Sequence, residues 1–242
     1  MIPKKIHYAW FGGKPLPLQA RRCIASWDYR LPDYELLRWD ESNFDPNSHS
    51  FTAAAYQAGY HAFVSDYVRM LALHQQGGIY LDVDVEVHAS FDELLNADLF
   101  IGLEDQKRFS TSVIGTCAEH WLPKAMLMYY DEVKFDEAAL KSLVNVNEIS
   151  RLLMARGFSG LGDTECLQNE YVLEIGMLAA VRRQKRKSMR PLARHLYAGS
   201  WKPLPHKNIA SRAWRKIRKM PEQIEAYAVL QMYRARKLFS ER

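Results

Sequence analysis

An α/β fold with a mostly parallel central sheet and a helical C-terminal extension is predicted by three features of this 242-residue sequence. Strand-like and helix-like patterns alternate over the first half, which favours parallel strands joined by helical crossovers, with ligands gathered at the strands' carboxyl ends. Apolar residues make up 48% and charged residues 25%, the usage of an ordinary globular protein able to bury a sizeable core. The length suits one domain with an appendage, divided here into residues 1–208 and 209–242.

Taken in order, Ile6–Phe11 is rich in strand-formers and stops at Gly12-Gly13, so it reads as a first strand with Trp10 at its carboxyl end. Leu18–Trp27 follows as a helix and Tyr34–Trp39 as a second strand. Phe63, Tyr67, Met70, Leu71 and His74 recur at helical spacing, and Gly77-Gly78 stops that helix before Ile79–Val87, which alternates with period two. Leu99–Gly102 and Ser112–Gly115 are short strand candidates, followed by helical patterns over Lys124–Glu132 and Asn147–Arg156. Residues 165–181 fit either helix or strand. Two amphipathic helices, Ile209–Lys219 and Glu222–Phe239, are expected on either side of Pro221. There is no internal repeat or low-complexity tract.

Charge is divided unevenly. Residues 1–181 hold 15 Lys/Arg against 25 Asp/Glu, net −10, whereas residues 182–242 hold 18 against 3, net +15. The basic segment suits phosphate, anionic lipid or nucleic acid, or a solvated face. Cys23, Cys117 and Cys166 are widely spaced and form no Cys-x-x-Cys pair, which fits a reducing compartment better than a disulfide framework. Neither a signal-peptide pattern nor a run of about 18 apolar residues is present, so a cytoplasmic location is expected. The Gly-x-Ser-x-Gly elbow of hydrolases and the Walker phosphate loop are also missing from the sequence.

On a continuous strand, Asp82, Asp84 and Glu86 would project to one face and Leu81, Val83, Val85 and Val87 to the other. Like charges this close repel, and their clustering beside apolar residues points to a compensating cation. Carboxylate oxygens favour magnesium, manganese or calcium over zinc. A lone Asp-x-Asp also fits a solvated edge strand; the glycine pair and the apolar surroundings argue for a central strand opening on a cleft.

Asp66 and Arg69 stand three apart on the preceding helix and can act together, as a surface ion pair or as partners of sugar hydroxyls. Trp10 reads as a core aromatic or as a flat platform for a nucleobase. His195, Ser200 and Trp201 fall in the short segment His-Leu-Tyr-Ala-Gly-Ser-Trp, which offers a metal or diphosphate ligand from the far side of a site. His7, His61 and His74 show no pairing that marks a site.

Together these segments resemble the family 32 glycosyltransferases, which have a sugar-binding region containing the Asp-x-Asp motif, and distantly the clostridial glucosylating toxins. The resembling pieces are Ile6–Gly13, Phe63–Arg69, Gly77–Glu86 and His195–Trp201. The resemblance implies a GT-A-like nucleotide-sugar-binding fold, a divalent metal (Mn2+ or Mg2+), a nucleotide-sugar donor with UDP-hexose favoured over a guanosine donor, and transfer with retention. By position, Trp10 would stack on the base, Asp66 and Arg69 would hold the donor sugar, and Tyr80 would border it. Asp82 would contact ribose and sugar, and Asp84 the metal. Ser200 and His195 would complete the metal and diphosphate shell, with Trp201 near the leaving phosphate. Relatives in bacterial polysaccharide synthesis often carry two adjacent histidines where this chain has His195-Leu196. The acceptor implied is a glycan or lipid-linked glycan at a membrane surface, which the basic C-terminal region would touch. A basic-tailed nucleic-acid-binding protein without transferase activity is the alternative; the tail matches no nucleic-acid motif.

Overall fold

The computed structural model describes residues 1–179, 190–197 and 209–240, with side chains of the final helix described over 222–237. A central sheet of seven strands runs in the order β2-β1-β3-β6-β5-β8-β7. Its opening half is β1 (Lys5–Ala9), α1 (Leu18–Arg30), β2 (Glu35–Trp39), α2 (Ser50–Gln57), α3 (His61–Gln76) and β3 (Gly78–Leu81). β1 pairs in parallel with both β2 and β3.

Beyond β3 come β4 (Val85–Val87), β5 (Leu99–Asp105), β6 (Arg108–Thr116), α4 (Trp121–Glu132) and α5 (Asn145–Arg156). The chain closes with β7 (Glu165–Leu167), β8 (Glu170–Leu173), β9 (Ala193–His195) and α6 (Ile209–Ser240). β5 and β6 form an antiparallel hairpin, β6 also pairs antiparallel with β3, and β8 runs parallel to β5. Strands β1, β2, β3, β5 and β8 therefore share one direction, with β6 and β7 reversed. The ambiguous stretch 165–181 contributes the hairpin β7–β8 at the sheet edge.

Each face of the sheet is packed. Tyr80 joins a core with Phe63, Val68 and Met70 of α3 and Leu122 and Met126 of α4. Its neighbours Ile79 and Leu81 project the other way, onto Cys23 and Trp27 of α1, as strand alternation requires. His7 explains how α3 hands over to β3: it is fully buried, takes a hydrogen bond from Trp39 Nε1 at Nδ1 (3.1 Å), and its Nε2 lies 2.9 Å from Gly77 O. With Nδ1 accepting, Nε2 carries the proton and donates to that carbonyl. Gly77 and Gly78 both have positive φ, and a Cβ at Gly77 would stand 2.6 Å from the Ala118 backbone nitrogen, so glycine is required there.

Two expectations are corrected. Ile79–Val87 is not one strand: Asp82-Val83-Asp84 forms a turn, with Val85 N donating to Asp82 O at 2.9 Å, between β3 in the large sheet and β4 in a two-stranded ribbon with β9. Alternating residue types continue through the turn, so period two alone conceals it. The C-terminal pattern forms one helix, α6, rather than two. A proline inside a helix loses one N–H hydrogen bond and crowds the carbonyl four residues before it, an effect local to one turn of a 32-residue helix. Over its described side chains α6 packs on α1: Ala226, Leu230 and Tyr233 are buried, the Tyr29 and Tyr233 rings lie 5.7 Å apart, and Lys237 Nζ reaches Asp28 Oδ2 at 2.7 Å.

Candidate active site at the carboxyl ends of β1 and β3

A cleft of about 860 Å³ opens where β1 and β3 end. Trp10 and Phe11 enter it from β1, Asp66 and Arg69 from α3, Tyr80, Asp82 and Asp84 from β3 and its turn, and His195 and Tyr197 from the far wall. Strand carboxyl ends are where α/β sheets of this kind gather ligands.

The turn sets the carboxylates. Asp82 N donates to Ser112 O of β6 at 2.9 Å, holding the turn on the sheet, and Leu196 N donates to Asp84 O at 2.9 Å. That last bond extends the β4–β9 ribbon, in which Val85 faces His195. His195 Nε2 consequently lies 3.2 Å from Asp84 Oδ1. Asp82, Asp84 and His195 each offer one ligand atom, all within 4.8 Å of one another. Two carboxylates and an imidazole suit Mn2+ well and admit Mg2+ through the oxygens. The residues present thus fit a divalent cation.

Arg69 ties this cluster to α3. Its Nη2 lies 2.7 Å from Asp82 Oδ1 and 3.1 Å from Asp66 Oδ1, and its guanidinium sits 4.6 Å from the Tyr80 ring centroid. Asp66 and Arg69 therefore bond one another and Asp82 while lining the cleft. Burial works against the guanidinium charge, but Asp82 and Asp66 outweigh it and raise the pKa further, so Arg69 stays protonated. Burial pushes the Asp82 carboxyl up, against the pull of Arg69 and with Asp84 adding to the rise. Asp66 is pushed up to about 7 by burial, again against Arg69 and helped by the charge of Asp82. Burial would lower His195, but its hydrogen bond to Asp84 and the charges of Asp84 and Asp82 raise it. Carboxylates crowded and desolvated in this way are stabilised by added positive charge.

Trp10 is half-buried in the cleft wall, its indole N–H donating to Lys14 O. Tyr80 is buried beneath Arg69. Ser200 and Trp201 lie outside the described residues. Glu86 leaves the acidic group altogether. Rather than sharing a face with Asp82 and Asp84, it is 2% exposed and bonded to Arg22, Arg194 and Tyr233.

Sequence reasoning passed over several cleft residues: His61, Ser112, Asn145 and Tyr197. The Tyr197 ring centroid is 4.0 Å from that of His195, held there by a backbone φ of 51°. Tyr197 does fall inside the His195–Trp201 segment, but a left-handed tyrosine has no signature in residue pattern. Asn145 and Ser112 come from elements distant in sequence and carry no local motif.

Residues 17–101 match the family model of the glycosyltransferase sugar-binding region containing DXD motif. Inositol phosphoceramide mannosyltransferase 3 of Schizosaccharomyces pombe (strain 972 / ATCC 24843) is 31% identical over 123 residues, 49% of this chain and 34% of that protein. The chain thus spans about a third of the length of that curated relative. The solved structure of PaToxG glycosyltransferase superposes with a TM-score of 0.51 at 17% identity, covering 64% of this chain and 69% of that one. At that identity the likeness speaks for the fold, which is the GT-A type of glycosyltransferases. Asp82-Val83-Asp84 is the one Asp-x-Asp sequence within the matched residues 17–101.

Proposed function

We propose that this chain is a metal-dependent glycosyltransferase that moves a hexose from a nucleotide sugar to a glycan acceptor. The observation that carries the reading is the meeting of Asp82, Asp84 and His195 beside Trp10 and Arg69 in one cleft at the strands' carboxyl ends. Glycosyltransferases with the DXD region generally use a divalent cation and a nucleotide sugar. In this reading Asp84 and His195, with Ser200, hold Mn2+ or Mg2+. When bound, the cation offsets the charge that develops on the departing diphosphate.

The chain's own residues then position the donor. Trp10 offers its indole face to the base. Asp82, fixed by Arg69, accepts from ribose and sugar hydroxyls, and the Asp66/Arg69 pair with Tyr80 borders the hexose. No carboxylate in the cleft is assigned as a nucleophile, so retention is ascribed to same-face attack by the acceptor hydroxyl, whose proton passes to the leaving diphosphate.

UDP-hexose is the donor we favour; a guanosine donor is the competing choice, given that a mannosyltransferase is among the relatives. The setting we infer is bacterial surface polysaccharide synthesis on the cytoplasmic side, with residues 182–242, net +15, facing anionic lipid. Exposed Ile224 and Tyr227 on α6 support such a contact. No specific observation favours the nucleic-acid-binding alternative.

A thermal-shift screen of UDP- and GDP-hexoses with and without MnCl2 tests the reading. A ligand at about a hundredfold over its Kd stabilises by ~2.7 kcal/mol, a shift of about 5 °C or more for a chain of this size. Shifts that need both sugar nucleotide and Mn2+ are expected; none with any nucleotide sugar would overturn it.

A further inference from the structure

Outside the cleft lining, Glu86 takes hydrogen bonds from three residues on three elements, with His88 Nε2 a further neighbour 3.9 Å from its Oε2. Arg22 of α1 donates from Nε and Nη2 to Oε1 (3.1 and 3.0 Å) and from Nη2 to Oε2 (3.0 Å). Arg194 of β9 donates from Nη2 to Oε2 at 3.0 Å, and the Tyr233 hydroxyl of α6 donates to Oε1 at 3.3 Å. Glu86 and Arg22 are both nearly sealed from solvent, at 2% and 6% exposed.

The position of this network matters because of what β9 carries. β4 and β9 are three residues each, and a two-stranded ribbon of that size has little stability of its own. Its register is Val87↔Ala193, Glu86↔Arg194, Val85↔His195. A slip of one residue would bring Arg194 or Leu196 to the place of His195 beside Asp84. Such a slip would also separate Arg194 from Glu86, leaving part of a buried charge unpaired, which is strongly disfavoured. The buried carboxylate therefore adds to the burial of Val85, Val87 and Ala193 in favouring this register of the strand that delivers His195.

We propose that Glu86 is a positioning residue: through Arg194 it locks the β4–β9 register and so holds His195 against Asp84, and through Tyr233 it makes α6 part of that support. This rests on the reading of Asp84 and His195 as metal ligands. It gives the C-terminal helix a role in the metal centre, distinct from any contact with a membrane.

The test uses the full chain with Arg194→Met, Arg194→Lys and Tyr233→Phe, sparing Glu86 itself because its replacement risks unfolding. Mn2+ binding is titrated calorimetrically, and backbone hydrogen exchange is followed across residues 190–197 in metal-free protein. Loss of groups that orient a metal ligand typically weakens metal binding about 10–100-fold. That loss is expected for Arg194→Met, with faster exchange at Leu196, partial rescue by Arg194→Lys, and a smaller loss for Tyr233→Phe. A lowered melting temperature with unchanged Mn2+ affinity and unchanged exchange over 190–197 would show an ordinary buried ion pair and overturn the proposal. If the wild type binds no Mn2+, the metal reading fails; the exchange data then decide the register lock, which unchanged exchange in Arg194→Met overturns.

Discussion

Arg69 and Asp82 are joined across the end of the sheet, Nη2 to Oδ1 at 2.7 Å, so a helix residue sets the orientation of the first DXD carboxylate. Asp66, at 3.1 Å from the same nitrogen, completes a three-member group in which one buried cation serves two carboxylates. Replacing Arg69 by Met leaves both carboxylates without their partner, and breaking such a buried pair costs about 3–5 kcal/mol. Urea unfolding of Arg69→Met is expected to show a loss of that order. Arg69→Lys, which keeps the charge but not the forked geometry, should fold better and still lose most of its transferase rate.

In the proposed cation site, the His195–Asp84 contact sets the sign of a pH dependence. With the imidazole pKa raised by Asp84 and Asp82, protonated His195 is favoured in the metal-free fold. Its contribution to metal-free stability is fully present below the unfolded value of about 6.5 and is lost as pH rises through the higher folded value. A metal requires the neutral ring, so Mn2+ affinity should move oppositely, weakening as pH falls below the folded value and releasing a proton on binding. Calorimetric titrations in buffers of different ionisation enthalpy check this; His195→Gln should remove the imidazole's share of the proton release and leave that of Asp66 and Asp82, whose carboxyls burial also raises.

Trp10 is half-buried in the cleft lining, and under the proposed function it is the platform for the donor's base. Stacking on a base contributes about 1–3 kcal/mol. Trp10→Ala should therefore raise the donor KM by roughly 5- to 150-fold, with a smaller effect on kcat, because the base lies away from the bond that breaks. Steady-state kinetics with varied donor separates the two.

His7 is a buried imidazole that sequence pattern left unassigned, and burial lowers its pKa from 6.5 to about 4 despite the Gly77 hydrogen bond. Neutral His7 stabilises the fold above the unfolded value, and this contribution is lost as pH falls from 6.5 towards 4. At 1.36 kcal/mol per unit the contribution is about 3 kcal/mol. Unfolding free energy measured across that window should fall with pH in the wild type, and the His7→Gln variant should lack this part of the slope.

Much of the fold was legible because it is built from local pattern. The β1-α1-β2 opening, the helix ended by Gly77-Gly78 and the two helices α4 and α5 all follow from periodicity and glycine stops. The turn at Asp82–Asp84 was not legible, since alternation continues through it into β4. Glu86 was misread for the same reason: its burial depends on Arg22, 64 residues away, and on Arg194 and Tyr233, and no local signal announces such partners. Trp10, Asp66, Arg69, Asp82, Asp84 and His195 were singled out in short segments, and Tyr80 through the resemblance; the structure brings these seven into one cleft. Asn145 and Tyr197 join them through tertiary placement alone.

Nucleoside diphosphate release with and without Mn2+, in wild type and Asp84→Asn, tests the proposed role of Asp84 in holding a divalent cation for transfer from a nucleotide sugar. Release by the wild type that EDTA abolishes and Mn2+ restores is expected, with a loss of about a hundredfold or more in Asp84→Asn, comparable to removing a principal electrostatic stabiliser. Undiminished, metal-dependent release by Asp84→Asn would contradict it.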